Sequence, residues 1–380
     1  MKTVNSKFID RFKPIPSVEK EDFCSSSQLD EDWIYFQELP NYKGQFRHLI
    51  LLNSFNYWDD IEAEMRNNGF HPKGFSVKEL VKWDLLQHSS NMRFTTVFSD
   101  IFRSIDTSGL IDVFDNPNNI PEPHHYSHYY HYLKAKHFQT FFLQLVEECI
   151  RYGIIIPTIA LGDGVFTSSW AGNFTKDKYG NPTDPEASIT VHDRKFYGKG
   201  FTTIAYYAWC GKRWLPIYYK TYTGSVSETK VYPEVVDELI STLPYRWKVI
   251  SYDKAGHSIE NRKFNQDHDL IGVIPAKKNI VYDVLIDAGK GRLFCESDIP
   301  FGMSINKLGR LFDHRAQEEA GFSALGPTYN MKAMNRMGLE AASINIAKYF
   351  IIQLLHALTA YKVNRPDLIM SSKAFTLVNY

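Results

Sequence analysis

One run of residues constrains this chain more than any other. Ile154-Ile155-Ile156-Pro157-Thr158-Ile159-Ala160-Leu161 is almost continuously apolar, and it stops at Gly162-Asp163. A strand with one wet face alternates apolar and polar residues. A run without alternation predicts a strand covered on both faces, inside a sheet flanked by helices. A second short run, Trp247 to Tyr252, stops in the same way at Asp253. Two buried strands that each end in an aspartate are a pattern with chemical meaning. In open α/β sheets the functional edge gathers at strand ends, where a carboxylate is rigidly placed but still reaches solvent. The plainer use of such an Asp is as a turn or cap residue.

Around these runs the chain divides into unlike parts. Residues 1–45 are polar and irregular, with Pro14, Pro16, Pro40 and Ser25 to Ser27, and predict an N-terminal arm with little fixed structure. Residues 46–150 form a helical region: segments 76–88, 92–105 and 127–150 carry apolar residues at spacings of three and four. Ser76, with Glu79 three residues on, predicts a capped helix start. Beyond 154 the order is strand, then β-rich stretches 201–209 and 214–223 joined by a turn at Gly211-Lys212. Helix 227–243, strand 247–252, helix 258–267, strand 270–275 and a helical stretch 304–362 follow. That is a mixed α/β sheet with helices packed on it. The stretch 339–363 is long and apolar, but Lys348, Gln353 and His356 interrupt it, which predicts a buried helix and no membrane association. Residues 363–380 form a C-terminal tail.

Composition removes some classes and leaves others. The 380 residues carry 43 basic and 43 acidic side chains. So even a balance weighs against a strongly basic DNA-binding surface and leaves room only for a local basic face. Cys24, Cys149, Cys210 and Cys295 form no CxxC pair. They read as reduced core thiols of an intracellular protein, with neither a disulfide framework nor a zinc site expected. The histidines His124, His125, His128, His131 and His137 include a potential metal face, but an amphipathic Tyr/His-rich helix accounts for them more simply. Ala288-Gly289-Lys290-Gly291-Arg292 lacks the spacing of a P-loop and reads as a solvated basic loop. The nucleophile elbow G-x-S-x-G of α/β hydrolases does not occur.

A third acid gives the two aspartates a context. Phe312-Asp313-His314-Arg315, then Glu319, Phe322-Ser323 and Leu325-Gly326, resembles the Y-x2-R-x3-E-x6-K helix of DDE-type insertion-sequence transposases. Other segments are similar in the same order: Gly198 to Ala205, Leu215 to Ile217, Thr223 to Glu228, Tyr252 to Arg262, and Ile271 to Ala276. Upstream, Pro123 to Leu133 looks like the family's helix before the catalytic domain. Together they cover about residues 120–362.

The resemblance implies a ribonuclease-H-like mixed sheet with flanking helices as the catalytic domain, 151–362, behind the all-helical DNA-binding region 46–150. It implies that Asp163, Asp253 and Glu319 bind two catalytic Mg²⁺ ions, with Mn²⁺ able to substitute. Arg315 is then expected to hold a DNA phosphate with its bidentate fork, with Lys254, Arg262 and Phe312 as further DNA contacts. The implied partners are the transposon's terminal inverted repeats and target DNA, engaged by a homodimer, in a cytoplasmic, nucleoid-associated setting. The implied chemistry is hydrolysis at a transposon end followed by strand transfer. Two positions depart from the signature: Phe312 stands for its Tyr and Gly326 for its Lys. Only 65 residues, 254–318, separate Asp253 from Glu319, too few for the large β-rich insertion of some relatives. The alternatives are a metal-dependent nuclease of the same fold, or a non-catalytic DNA-binding derivative whose site has decayed.

Overall fold

The computed structural model describes residues 47–89, 99, 113–169, 179–180, 183–192, 196–210, 214–314, 334 and 336–369. Helices α1 (Tyr57–Asn67), α2 (Val77–Ser89), α3 (Pro123–Tyr129) and α4 (Ala135–Arg151) precede the sheet. Strands β1 (Ile156–Ser168), β2 (Ser188–His192), β3 (Phe196–Trp209) and β4 (Trp214–Thr223) follow, then α5 (Glu228–Thr242), β5 (Val249–Ser251), α6 (Ile259–Asp267) and β6 (Ile271–Val273). The hairpin β7 (Leu285–Asp287) and β8 (Leu293–Cys295) leads to α7 (Ile305–Asp313) and α8 (Leu339–Lys362).

The main sheet is mixed. β3 is flanked by β1, β2 and β4, all antiparallel to it, while β1, β5 and β6 run parallel side by side. Long antiparallel strands therefore form one half, and three-residue parallel strands extend it. The Ile154–Leu161 run lies where its composition demands. Ile154, Ile155, Ala160 and Leu161 are buried, and residues 159–161 pair with both β3 and β5 or lie between them.

Three details differ from expectation. Asp163 lies within β1, which runs on to Ser168, because pairing with β3 continues after pairing with β5 stops at Leu161. The expected helix 127–150 is two helices with a break at 130–134. At each start a histidine ring turns back on the chain: His125 Nδ1 accepts from the Glu122 amide at 3.0 Å, and His137 Nδ1 from the Lys134 amide at 3.1 Å. His128 Nε2 contacts the His71 carbonyl at 2.8 Å. These histidines thus shape helix ends and loop contacts. Finally, Ala288 to Arg292 forms the tight end of β7–β8, where Gly289, Lys290 and Gly291 all have positive φ. The turn at 211–212 and most of segment 92–105 fall outside the described residues.

The helical layer is tied together by buried charge. α8, buried along nearly its whole length, sends Lys348 Nζ to Asp84 Oδ2 of α2 at 2.6 Å. The Tyr130 hydroxyl donates to the same carboxylate, and His88 Nδ1 lies 3.2 Å from its other oxygen. On the same helix α2, Lys82 pairs with Glu79 at 2.5 Å and donates to the Val113 carbonyl at 2.8 Å. The Glu79 amide meets Ser76 Oγ at 3.1 Å, as the cap pattern predicts. Among the described residues α8 is the one helix long and apolar enough to cross a bilayer, and its burial identifies it as a core helix.

Candidate active site

The two predicted aspartates follow the last paired residues of two neighbouring parallel strands. The parallel register pairs Ile159 with Val249, Ala160 with Ile250 and Leu161 with Ser251. Continued two residues, it sets Asp163 level with Asp253, and the two-residue period of a strand gives both the same parity. Each carboxylate is oriented by a backbone amide just after it. Gly164 N–H donates to Asp163 Oδ1 at 3.0 Å, and Ala255 N–H to Asp253 Oδ1 at 2.7 Å. Asp253 caps the short helical turn Lys254–Gly256, and both aspartates are half-buried.

A carboxylate that sequence reading did not single out packs on the same strand, from the face opposite the Asp163 side chain. Glu228, the first residue of α5, packs directly on β1: a Cβ added at Gly164 would lie 2.5 Å from Glu228 Oε1. The Tyr252 hydroxyl donates to Glu228 Oε2 at 2.9 Å. Burial, then the Glu228 carboxylate and Tyr206, holds the Tyr252 phenol well above its ordinary pKa, with Asp163 adding in the same direction. Tyr252 therefore stays a protonated donor within the field of two acids. The tyrosines also dictate Gly162, since a Cβ there would lie 2.5 Å from the rings of both Tyr206 and Tyr252. The signal for Glu228 in the sequence was Gly164, a residue without a side chain next to the acid. The partner it makes room for lies 64 positions away (228 minus 164).

The surrounding framework is rigid. The Thr229 hydroxyl donates to the Ala255 carbonyl. Buried Asn261 of α6 spans both segments, donating to the Gly256 carbonyl at 2.6 Å and the Thr229 carbonyl at 3.0 Å. Ser258 Oγ caps α6 by accepting from Asn261 N–H at 3.1 Å. The start of α5 and the Asp253 turn are thus one hydrogen-bonded unit.

The remaining predicted residues separate. Lys254 is exposed, one residue beyond Asp253. Arg262, expected to face DNA, is committed within the fold instead: Nε meets Asp298 Oδ1 at 2.5 Å, Nη2 meets Asp283 Oδ2 at 2.9 Å, and the guanidinium lies 5.8 Å from the Tyr282 ring centroid. Its position four residues past the Ser258 cap puts it beside the β7–β8 region, whose acids sequence reading did not place. Phe312 likewise packs inward, against Phe294 at 6.2 Å between centroids and beneath the Arg292 guanidinium at 5.2 Å. Arg315, Glu319 and Gly326 lie outside the described residues.

No family model matches the chain, and no curated protein sequence matches it. Two solved structures show a slight likeness. One is a Mos1 transposase paired-end complex with left transposon end, at 15% identity, covering 53% of this chain and 60% of that one, with a TM-score of 0.19. The other is a pre-cleavage Mos1 transpososome, at 13% identity, covering 80% and 81%, with a TM-score of 0.20. This chain matches well under two thirds of the first structure's length. Overlaps so slight carry no weight for fold or chemistry.

Proposed function

We propose that the chain is a DDE-type transposase that cuts transposon ends and joins them to target DNA, with Asp163, Asp253 and Glu319 as its catalytic acids. The observation that supports this reading is the β1–β5 register, whose last pair, Leu161 with Ser251, would put Asp163 level with Asp253 if continued two residues. The sheet supports it. Three antiparallel strands in the order β4, β3, β1, continued by parallel β5 and β6, match the strand order of a ribonuclease-H-like domain. Glu319 lies outside the described residues, and its place in the site rests on the resemblance of its segment to the transposase signature.

The donor set fits Mg²⁺. It is all oxygen, and neighbouring amides fix its orientation, as the outer shell of a hard-cation site does. Asp163, Asp253 and Glu319 would hold two such ions, which when bound stabilise charge on the attacking and leaving oxygens of an in-line phosphodiester displacement. The chain's own residues do the rest. The Gly164 and Ala255 amides aim the two aspartates, Tyr252 holds Glu228 against Gly164, and Asn261 locks the Asp253 turn. Lys254, which is exposed, and the signature residue Arg315 would meet the DNA backbone, and a homodimer would hold two ends.

The test is cleavage and joining of linear DNA carrying the sequences that flank the reading frame, with purified full-length chain. We expect cleavage that needs Mg²⁺ or Mn²⁺ and is lost in Asp163→Asn, Asp253→Asn and Glu319→Gln, followed by joining through the freed 3′ end. Cleavage without joining would convert the reading to a nuclease of the same fold. Cleavage that survives loss of Asp163 or Asp253 would remove these residues from the active site.

A further inference from the structure

A second cluster of metal-ligating groups lies beside the first, in a different chemistry. His257, Cys295 and Asp298 place Nε2, Sγ and a carboxylate oxygen within 4.8 Å of one another. Cys295 Sγ is 3.6 Å from His257 Nε2, and Asp298 Oδ2 is 3.8 Å from the same nitrogen. The latter gap is too long for an N–H···O hydrogen bond. Zinc bonds of about 2.3 Å to sulfur and 2.0–2.2 Å to nitrogen or oxygen set tetrahedral neighbours about 3.3–3.7 Å apart, so the sulfur is already at donor spacing and Asp298 Oδ2 lies just outside it. The histidine and cysteine are buried, and the Asp298 side chain is 9% exposed.

We propose that these three residues bind one zinc ion, with water completing the tetrahedron. The thiolate selects zinc over magnesium. Thiolate and carboxylate balance the dication, and the neighbouring Arg262–Asp283 pair adds no net charge. Arg262 also acts on the ligand itself. By taking Asp298 Oδ1 it leaves Oδ2 toward the cluster, as outer-shell partners orient metal ligands. The position explains what the ion does. His257 ends the short turn that begins at Asp253, Cys295 ends β8, and Asp298 lies in the turn that follows. One ion would clamp the β7–β8 hairpin onto the loop that carries Asp253.

The site is testable without DNA or Mg²⁺, so its failure is distinct from failure of the transposase reading. Full-length chain without a histidine tag, purified from zinc-supplemented cells and desalted, is expected to carry about one zinc per chain by elemental analysis. Cobalt added to metal-free chain is expected to give tetrahedral visible bands and a thiolate charge-transfer band. Both should vanish in Cys295→Ala and persist in Cys210→Ala. Asp298→Asn, which preserves shape, should lower zinc affinity about 10- to 100-fold. Background zinc in folded wild-type chain, or a cobalt spectrum with no thiolate band, would overturn the site.

Discussion

Asp84 and Asp163 are the same residue in one core, in opposite electrostatic settings. Asp84 sits between α2 and α8 with the Lys348 ammonium at 2.6 Å, the Tyr130 hydroxyl and His88. Burial drives its carboxyl pKa up, but Lys348 and then His88 reverse this and leave it well below the ordinary value. Asp163 is oriented by the Gly164 amide, and Glu228 packs against that same glycine from the other face of β1. The first aspartate is neutralised from within and holds helices together. The second gathers like charge at a half-open edge, an arrangement that favours a divalent cation over burial. The Asp84 charge is met by a buried ammonium inside the helical layer, whereas the Asp163 carboxylate is aimed by a backbone amide at a half-buried position.

The largest effects should separate the two. Lys348→Met strands a buried carboxylate and is expected to cost about 3–5 kcal/mol of stability, measured by denaturant unfolding. Asp163→Asn should do the reverse. Stability should stay within about 1 kcal/mol of wild type, because a repelling charge is removed and packing is kept. DNA cleavage should fall about a thousandfold, roughly 4 kcal/mol of transition-state stabilisation. If Asp163→Asn instead unfolded the chain while Lys348→Met did not, the two aspartates would have to exchange roles.

Glu228 sharpens the contrast, since it stands between a scaffold role and a chemical one. Glu228→Gln keeps the shape against Gly164 and can still accept from Tyr252. We expect the Mg²⁺ concentration needed for half-maximal cleavage to rise about 10-fold, with little change in the rate at saturation. A drop in stability with an unchanged Mg²⁺ requirement would assign Glu228 to packing alone. Gly164→Ala, which pushes a methyl toward Glu228 Oε1, should mimic the Mg²⁺ effect.

The main features of the sheet were legible because burial writes itself into a strand. The unbroken run before Asp163 and the shorter one before Asp253 both lie in the parallel half, where each face is covered. Local capping was equally readable at Ser76. Contacts made across the fold were not. Glu228 meets β1 at Gly164 only because α5 starts against that strand, and no local spacing encodes that. The cysteines formed no CxxC pair, so a metal site looked absent. Yet Cys295 and Asp298 meet His257 through a hairpin whose glycine-rich turn read as plain loop. Arg262 looked like a free cation because the acids that occupy it, Asp283 and Asp298, lie 21 and 36 residues away.

The smallest effect probes the helical layer once more. His48 and His356 are buried with perpendicular rings, centroids 4.3 Å apart, and neither His48 nitrogen has a hydrogen-bond partner. Burial, then His356, holds His48 well below its ordinary pKa, and burial pushes His356 down to about 3. Both stay neutral in the fold while the unfolded chain protonates near pH 6.5. Between about pH 6.5 and 3 the unfolded state therefore binds more protons, so stability is full above that window and falls as the pH drops through it. For His356 alone the loss from pH 7 to pH 6 is about 0.7 kcal/mol. His356→Leu, close in volume, should remove that part of the pH dependence when unfolding is followed at both values. An unchanged slope would mean that His356 carries its proton inside the fold. The helical layer would then hold charge that its helices do not neutralise, and the contrast with the acidic sheet edge would fail there.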